Sequence, residues 1–444
     1  MWKDKNTGHK IFVARFKAFL LAKGSFFLLF MIAGWGTLTG CTERERKNPF
    51  DPGANQESPV RLSLKPTETA VVLEWEVEPI SHVVGFRIYR STNDNRHFQL
   101  YQEVEGDHRV FLDREVEPYR WYYYRVTALG PATESLPSNT EKTYLGKGKI
   151  YLTSHYGFWI RELSYDLLHT LNHFDTRFPP VEWAPFLREN IVWLAYGPYK
   201  YIGRIHLSLA KEEDYFDDVL KIPIDVEVDP RTRNLFVLDD GTNELIQINN
   251  LTIMHRVALP ADVYFQMTLQ PEVRRMGILG ESLFLWLSLD SRAILLTHSL
   301  PDTLIYQDQT ITRQTIYLLA TVSGSRRTRL MTISPPSGEI HSLWLEGIFH
   351  KIAVDADQRV FYLAEITDIR RPDTQQRLVK LSFNGDRLLE LDNFNFIADI
   401  QINPYDHSVV VVDRLNDRLT LIGADGKKIS ESIKLYDPIR VHIE

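Results

Sequence analysis

The stretch Pro223-Ile-Asp-Val-Glu-Val-Asp229, followed by Leu235-Phe-Val-Leu-Asp239 and Leu245-Ile-Gln-Ile248, decides the fold. The first run alternates apolar and polar residues, the period of a strand with one buried face. The second is apolar throughout and ends in an acid, the composition of a strand covered on both faces. Shifted by 174 positions, the pattern returns without a gap as Ala398-Asp-Ile-Gln-Ile-Asn403, Val409-Val-Val-Val-Asp413 and Leu419-Thr-Leu-Ile422. A third copy, with an insertion, reads Ile352-Ala-Val-Asp355, Phe361-Tyr-Leu-Ala-Glu365 and Leu378-Val-Lys-Leu381. Weaker copies start near Ile150-Tyr-Leu152, Ile191-Val-Trp-Leu194, Leu283-Phe-Leu-Trp286 and Ile316-Tyr-Leu-Leu319. That makes about seven units spaced by about 43 residues, the size of a four-stranded antiparallel unit. The copies between residues 260 and 345 are the poorest and leave six or eight units open.

The unit that starts at Lys149 lacks the opening alternating strand, and the chain ends in Pro438-Ile-Arg-Val-His-Ile-Glu444, which matches residues 223–229 position for position. An orphan opening strand at the C-terminus can complete the first unit and remove the exposed sheet edges that invite aggregation. In repeat pattern, residues 147–444 resemble the NHL and YncE-like β-propellers, which implies a roughly seven-bladed ring closed by the C-terminal strand. At the equivalent start of the opening strands stand Asp225, Lys351, Asp399 and Arg440. If they ring one channel mouth, their signs alternate, which suits mutual pairing or a polar ligand better than a dedicated metal or phosphate site. These four are the candidate binding residues.

Upstream, residues 59–145 read as short alternating strands separated by turn signals. Val71-Val-Leu-Glu-Trp-Glu-Val77 carries Trp75 at its centre, and Gly85-Phe-Arg-Ile-Tyr-Arg90 follows with Phe86 and Ile88 on one face. Ser91-Thr-Asn-Asp-Asn95 is expected as a turn. In Tyr122-Tyr-Tyr-Arg-Val-Thr-Ala128, Tyr122, Tyr124, Val126 and Ala128 share a face. Together these resemble a fibronectin type III domain. Trp75 matches its core tryptophan, Tyr122 the corner tyrosine whose hydroxyl bonds to backbone upstream, and Glu134-Ser-Leu-Pro-Ser-Asn139 the turn before the last strand. The resemblance implies an all-β chain of sandwich then ring. It implies spacing and presentation rather than a particular activity, because the sandwich hosts many roles.

The sole cysteine, Cys41, closes Leu38-Thr-Gly-Cys41 after the apolar run Ser25-Phe-Phe-Leu-Leu-Phe-Met-Ile-Ala-Gly-Trp35 and an upstream basic segment. Basic segment, short apolar segment and small residues describe a secretory signal. With the cysteine they resemble the lipobox of bacterial lipoproteins. That implies cleavage after Leu38, Thr39 and Gly40, a lipid on Cys41, and localisation in a bacterial envelope. Thr42 in the next position resembles default sorting to the outer membrane. The competing reading is an uncleaved anchor with an incidental cysteine. Residues 41–58 are rich in charge, Pro, Asn and Gly, an extended tether.

The first 40 residues carry six Lys/Arg and one Asp, a charge of +5, so residues 41–444 carry −12 against −7 for the whole chain. An acidic exterior argues against nucleic acid as a partner. Beyond Cys41 there is no thiol for a disulfide or a thiolate metal site. No His-Glu-x-x-His, Gly-x-Ser-x-Gly or Gly-rich phosphate loop is present, and no cofactor is expected. Asp355 and Asp357 do not continue into a calcium loop. The recurring Asp229, Asn403 and Asp355, with Asp239, Asp413 and Glu365, read as turn-formers bonding local amides. His155, His206, His255, His298, His350 and His407 do not recur at one repeat position, as a shared metal site would require. Trp159, Trp183 and Tyr196 read as core. The expected function is a non-catalytic binding or scaffolding module for a protein, peptide or glycan. The alternative is an envelope propeller lyase or hydrolase with its site at the channel mouth.

Overall fold

The computed structural model describes residues 50, 57–78, 82–154, 156–216, 219–301, 303–312, 315–334, 339–373 and 375–443. Leu38, Thr39, Gly40 and Cys41 lie outside them, as does His155. No helix among the described residues is long and apolar enough to cross a membrane. The described residues are all-β apart from two single 3-10 turns, Leu187–Glu189 and Gly197–Tyr199.

The N-terminal part packs two sheets face to face. One holds Val60–Pro66, Val71–Val77 and Val110–Asp113; the other is ordered Gln99–Glu105, Gly85–Thr92, Trp121–Leu129, Glu141–Tyr144. Val60–Pro66 alternates strictly between buried and exposed residues, so a one-residue slip would turn its whole apolar set to water. Trp75, Phe86, Ile88, Tyr122, Tyr124, Val126 and Ala128 share the core, with the Trp75 and Phe86 rings 5.5 Å apart. The Tyr122 hydroxyl accepts the Glu117 N–H at 2.8 Å, a bond back to backbone upstream. Gly85–Thr92 runs two residues into the stretch expected as a turn, because Ser91 and Thr92 still pair with Tyr123 and Tyr122. Phe50 packs against this core, and its carbonyl accepts the Thr133 hydroxyl at 3.2 Å.

From Ile150 onward the strands form seven four-stranded antiparallel sheets, consistent with a β-propeller. Their first strands are, in sheet order, Pro438–Ile443, Glu182–Phe186, Pro223–Val228, Tyr264–Gln270, Leu304–Ile311, Ile348–Asp355 and Ile397–Ile402. Pro438–Ile443 pairs antiparallel with Ile150–Ser154, Ile443 facing Ile150 and Val441 facing Leu152. Second strands such as Ile191–Tyr196, Leu235–Asp239 and Val409–Asp413 are buried at every residue, since neighbouring sheets cover both faces. Outermost strands such as Thr252–Ala258 alternate with water instead.

One unit falls elsewhere than the repeat pattern suggests. Leu283–Ser288 is the third strand of the fourth sheet, not its second; the sheet opens with Tyr264–Gln270 and continues with Arg275–Gly280. Two glycines hide that second strand. A Cβ at Gly277 would stand 3.2 Å from Ile311 and from the Phe284 ring, a tight fit. Such glycines weaken the local strand signal.

The two parts of the molecule touch through specific groups. The Asp166 carboxylate accepts the Thr143 hydroxyl at 2.9 Å and the Tyr144 N–H at 2.7 Å, and the Asn403 amide donates to the Lys147 carbonyl at 2.6 Å. Asp166 joins third to fourth strand and Asn403 first to second, so both lie at the end of the sheets where first strands finish.

Candidate functional site

Six of the seven first strands shift register near their start: between Pro223 and Asp225, Tyr264 and Gln266, Tyr306 and Asp308, Phe349 and Lys351, Ile397 and Asp399, and Pro438 and Arg440. A bulge bends its strand and re-aims the next side chain. The residue after each shift, with Glu182 at the matching position of the second sheet, lines one cavity of about 520 Å³. In sheet order the ring reads Arg440, Glu182, Asp225, Gln266, Asp308, Lys351, Asp399. The structure therefore brings Asp225, Lys351, Asp399 and Arg440 together on one wall.

Three carboxylates tie neighbouring sheets together. Asp225 accepts the Met267 N–H at 2.6 Å, Asp308 the Ile352 N–H at 3.1 Å, and Asp399 the Val441 N–H at 3.0 Å. In each case the amide follows the non-acidic ring residue of the next sheet. The ring thus divides into Asp225–Gln266, Asp308–Lys351 and Asp399–Arg440. Seven is odd, so one acid is left over: Glu182, which takes Arg440 at 3.1 Å. Lys351 lies 3.5 Å from Asp308. Two acids therefore stand side by side at Glu182 and Asp225, and Glu227 lines the cavity one strand period further in. Among the described residues, neither Asp225 nor Glu227 has a Lys, Arg or His ion-pair partner.

Titration follows from this crowding. Burial pushes the Glu227 carboxyl up to about 8, opposed by the Leu269 N–H and reinforced by Glu182. Burial, then Glu182 and Glu227, raise Asp225 well above the usual carboxylate range. Burial raises Asp399 too, opposed by Arg440 and Lys351. Burial lowers His442, also on the wall, to about 4, so it is neutral at physiological pH. An acid whose pKa rises on folding stabilises the fold below its unfolded value and loses that contribution as pH rises through the folded one. We expect Glu227→Gln to flatten the decline in urea midpoint between about pH 4.3 and 8. An unchanged slope would show that Glu227 is solvated like a surface acid.

The ring was only partly visible in the sequence. Glu182, Gln266 and Asp308 went unnoticed, although Asp308 precedes Lys351, and Glu182 precedes Asp225, by 43 residues each. The strands of Glu182 and Asp308, Glu182-Trp-Ala-Pro-Phe186 and Leu304-Ile-Tyr-Gln-Asp-Gln-Thr-Ile311, break the alternating template, whereas Tyr264–Gln270, which holds Gln266, keeps it. The cavity histidine is His442; His206, His255, His298, His350 and His407 lie elsewhere. His407 pairs with Asp355 at 2.8 Å, and His350 meets Gln376 at 2.9 Å. Asp229, Asn403 and Asp355 bond local amides, those of Arg231, Tyr405 and Gln358. Asp239 and Asp413 depart from the expectation: they accept N–H groups 17 and 18 residues upstream, of Lys221 and Ile222 and of Asn395 and Phe396, and so tie the end of a second strand to the loop into its sheet's first strand. Glu365 differs, pairing with Arg387 at 2.9 Å. Trp159, Trp183 and Tyr196 are buried. Among the described residues, one group of three could hold a metal ion, the exposed Glu105, Asp107 and His108 outside the cavity.

The cavity is lined along the first strands, from the residues after the register shifts to Pro230 and Pro271 just past the strand ends, and the residues after the shifts lie nearest the end of the sheets where first strands begin. Loops into first strands and hairpins joining second to third strands share that end in an antiparallel sheet. Every sheet exposes a large apolar residue there: Phe158 and Tyr436 in the first, then Tyr199, Ile222, Phe265, Ile305, Ile369 and Leu415. The opposite end, where Asp166 and Asn403 meet the N-terminal part, exposes Leu209, Leu251, Val273 and Tyr405.

No protein-family model matches the chain, and no curated protein matches it. Solved structures share the fold. A Lactobacillus plantarum protein aligns with 67% of the chain and 99% of its own, at 13% identity and a TM-score of 0.52. Hydrazine synthase from Kuenenia stuttgartiensis aligns with 68% of the chain and 93% of its own, at 9% identity and a TM-score of 0.52. The periplasmic gluconolactonase of Pseudomonas aeruginosa aligns with 67% of the chain and 98% of its own, at 9% identity and a TM-score of 0.50. These likenesses support a β-propeller for the C-terminal two thirds.

Proposed function

We propose that this chain is a lipid-anchored protein of a bacterial cell envelope, held at the outer membrane through Cys41. A tether and a fibronectin type III domain carry a closed seven-bladed propeller, whose channel mouth binds a protein, peptide or glycan without chemistry. One observation carries the binding reading. The ring acids are fixed by amides of the neighbouring sheet, which holds a preformed polar cavity, and a collar of large apolar side chains is exposed at the end of the sheets nearest the ring. Concave sites with an apolar rim and few placed polar groups are the common form of ligand sites.

The test is capture from envelope extract on the immobilised mature protein, alongside the same protein carrying Phe265→Ser and Tyr436→Ser. A component retained by the first and lost from the second supports binding at this mouth; equal retention contradicts it. The anchor is tested separately. Cys41→Ser should abolish incorporation of a clickable fatty acid and move the protein out of the lipid-modified pool, whereas continued labelling would refute lipidation at this residue.

A second reading, an envelope lyase or hydrolase, is favoured by Glu227, whose carboxyl titrates near neutrality as a general base requires. Turnover of lactone or polysaccharide substrates that disappears in Glu227→Gln would establish it.

A further inference from the structure

Resting on that binding reading, we propose that the channel mouth receives a peptide segment that inserts one lysine or arginine side chain into the acidic side of the cavity and lays apolar neighbours on the collar. The occupant follows from charge and shape. Five carboxyl groups line the cavity, Glu182, Asp225, Glu227, Asp308 and Asp399, against two cations, Lys351 and Arg440. Both cations are engaged, Arg440 by Glu182 and Lys351 by Asp308. Sevenfold construction leaves the surplus on one side, where Glu182 and Asp225 adjoin above Glu227. No inserted anion would find a free cation there, whereas an ammonium or guanidinium group would find two carboxyls lacking an ionic partner.

Depth fits as well. Asp225 and Glu227 are two residues apart on one strand, roughly 6.6 Å in depth. The four methylenes of a lysine span about that distance while its head stays polar. At the end of the sheets where first strands begin, Phe265 and Tyr436 are 42% and 61% exposed, too much for core residues and suited to cover by a partner. The sandwich meets the ring at the far end, through Asp166 and Asn403, so it does not cover this collar.

Arrayed pentapeptides provide the probe, with apolar residues around a central lysine, arginine, norleucine or glutamate, followed by fluorescence polarisation of the best sequence on the full mature protein. Lysine or arginine at the centre is expected to bind at least tenfold more tightly than norleucine, and glutamate not to bind. Glu227→Gln should remove most of that tenfold preference, because glutamine keeps the bond from the Leu269 N–H but cannot ionise when a cation enters beside it. Phe265→Ser should weaken lysine and norleucine peptides alike. Equal binding of lysine and norleucine peptides, or a preference that survives Glu227→Gln, overturns the proposal. If array binding is absent but envelope capture shows a collar-dependent glycan, this inference falls and the binding reading stands. If neither assay shows collar-dependent retention, both fall.

Discussion

Val441→Asp is expected to be the most damaging single substitution in the chain, costing about 3–5 kcal/mol and leaving much of the protein insoluble. Val441 is 3% exposed and belongs to the core shared by Leu152, Val410, Val412 and Leu419. It faces Leu152 across the pairing of Pro438–Ile443 with Ile150–Ser154, and its N–H is held by Asp399. An aspartate there would be a buried charge with no partner. It would also loosen the one strand that joins the end of the chain to the first sheet, opening the edge of Ile150–Ser154 to other chains. Leu388→Ser on an outermost strand, where Leu388 is 55% exposed, should change stability by no more than about 0.5 kcal/mol. Urea midpoints and soluble yield measure both. A Val441→Asp protein with the midpoint of the Leu388→Ser protein would show that the C-terminal strand is not part of the cooperative fold.

Asp113→Ala should be the most costly change in the N-terminal sandwich, again by about 3–5 kcal/mol. Asp113 is fully buried and accepts the Tyr124 hydroxyl at 2.9 Å, the Tyr101 hydroxyl at 2.8 Å and Arg90 at 2.7 Å. Its removal strands the Tyr124 hydroxyl in the core and leaves Arg90, packed 3.8 Å over the Tyr101 ring, without its counter-ion. Asp113→Asn keeps an acceptor and should cost visibly less. Equal losses for the two variants would mean that packing, not charge, sets the effect.

What the sequence discloses depends on how far each residue's role is local. The second strands at Leu235–Asp239 and Val409–Asp413 stand out because sheets on both sides demand apolar residues at every position. The orphan strand at Pro438–Ile443 is legible because it repeats the pattern of Pro223–Val228, down to the proline and the bulge two residues on. Asp225, Lys351, Asp399 and Arg440 were found through that alignment. Glu182 and Asp308 were not, since their strands carry Pro185 or Gln307 where the template wants an alternating apolar residue; Gln266 was not, although Tyr264–Gln270 keeps the alternation, because it carries no charge. Glu227 could not be singled out from sequence. Its significance arises only because an odd number of sheets places Glu182 beside Asp225 with no cation to separate them. The glycines of Arg275–Gly280 show the same limit, as Gly277 lies against Ile311 and the Phe284 ring and Gly280 against Asp262 and Tyr264.

The central claim is that the collar end of the sheets is the surface that meets a partner. Site-specific photo-crosslinking in the native cell tests it most directly, with a benzophenone amino acid replacing Phe265 at the collar and, separately, Leu209 at the opposite end. The account predicts a discrete adduct from Phe265 that weakens in a Glu227→Gln background, and none from Leu209. No adduct at Phe265, or equal adducts at both positions, would contradict it.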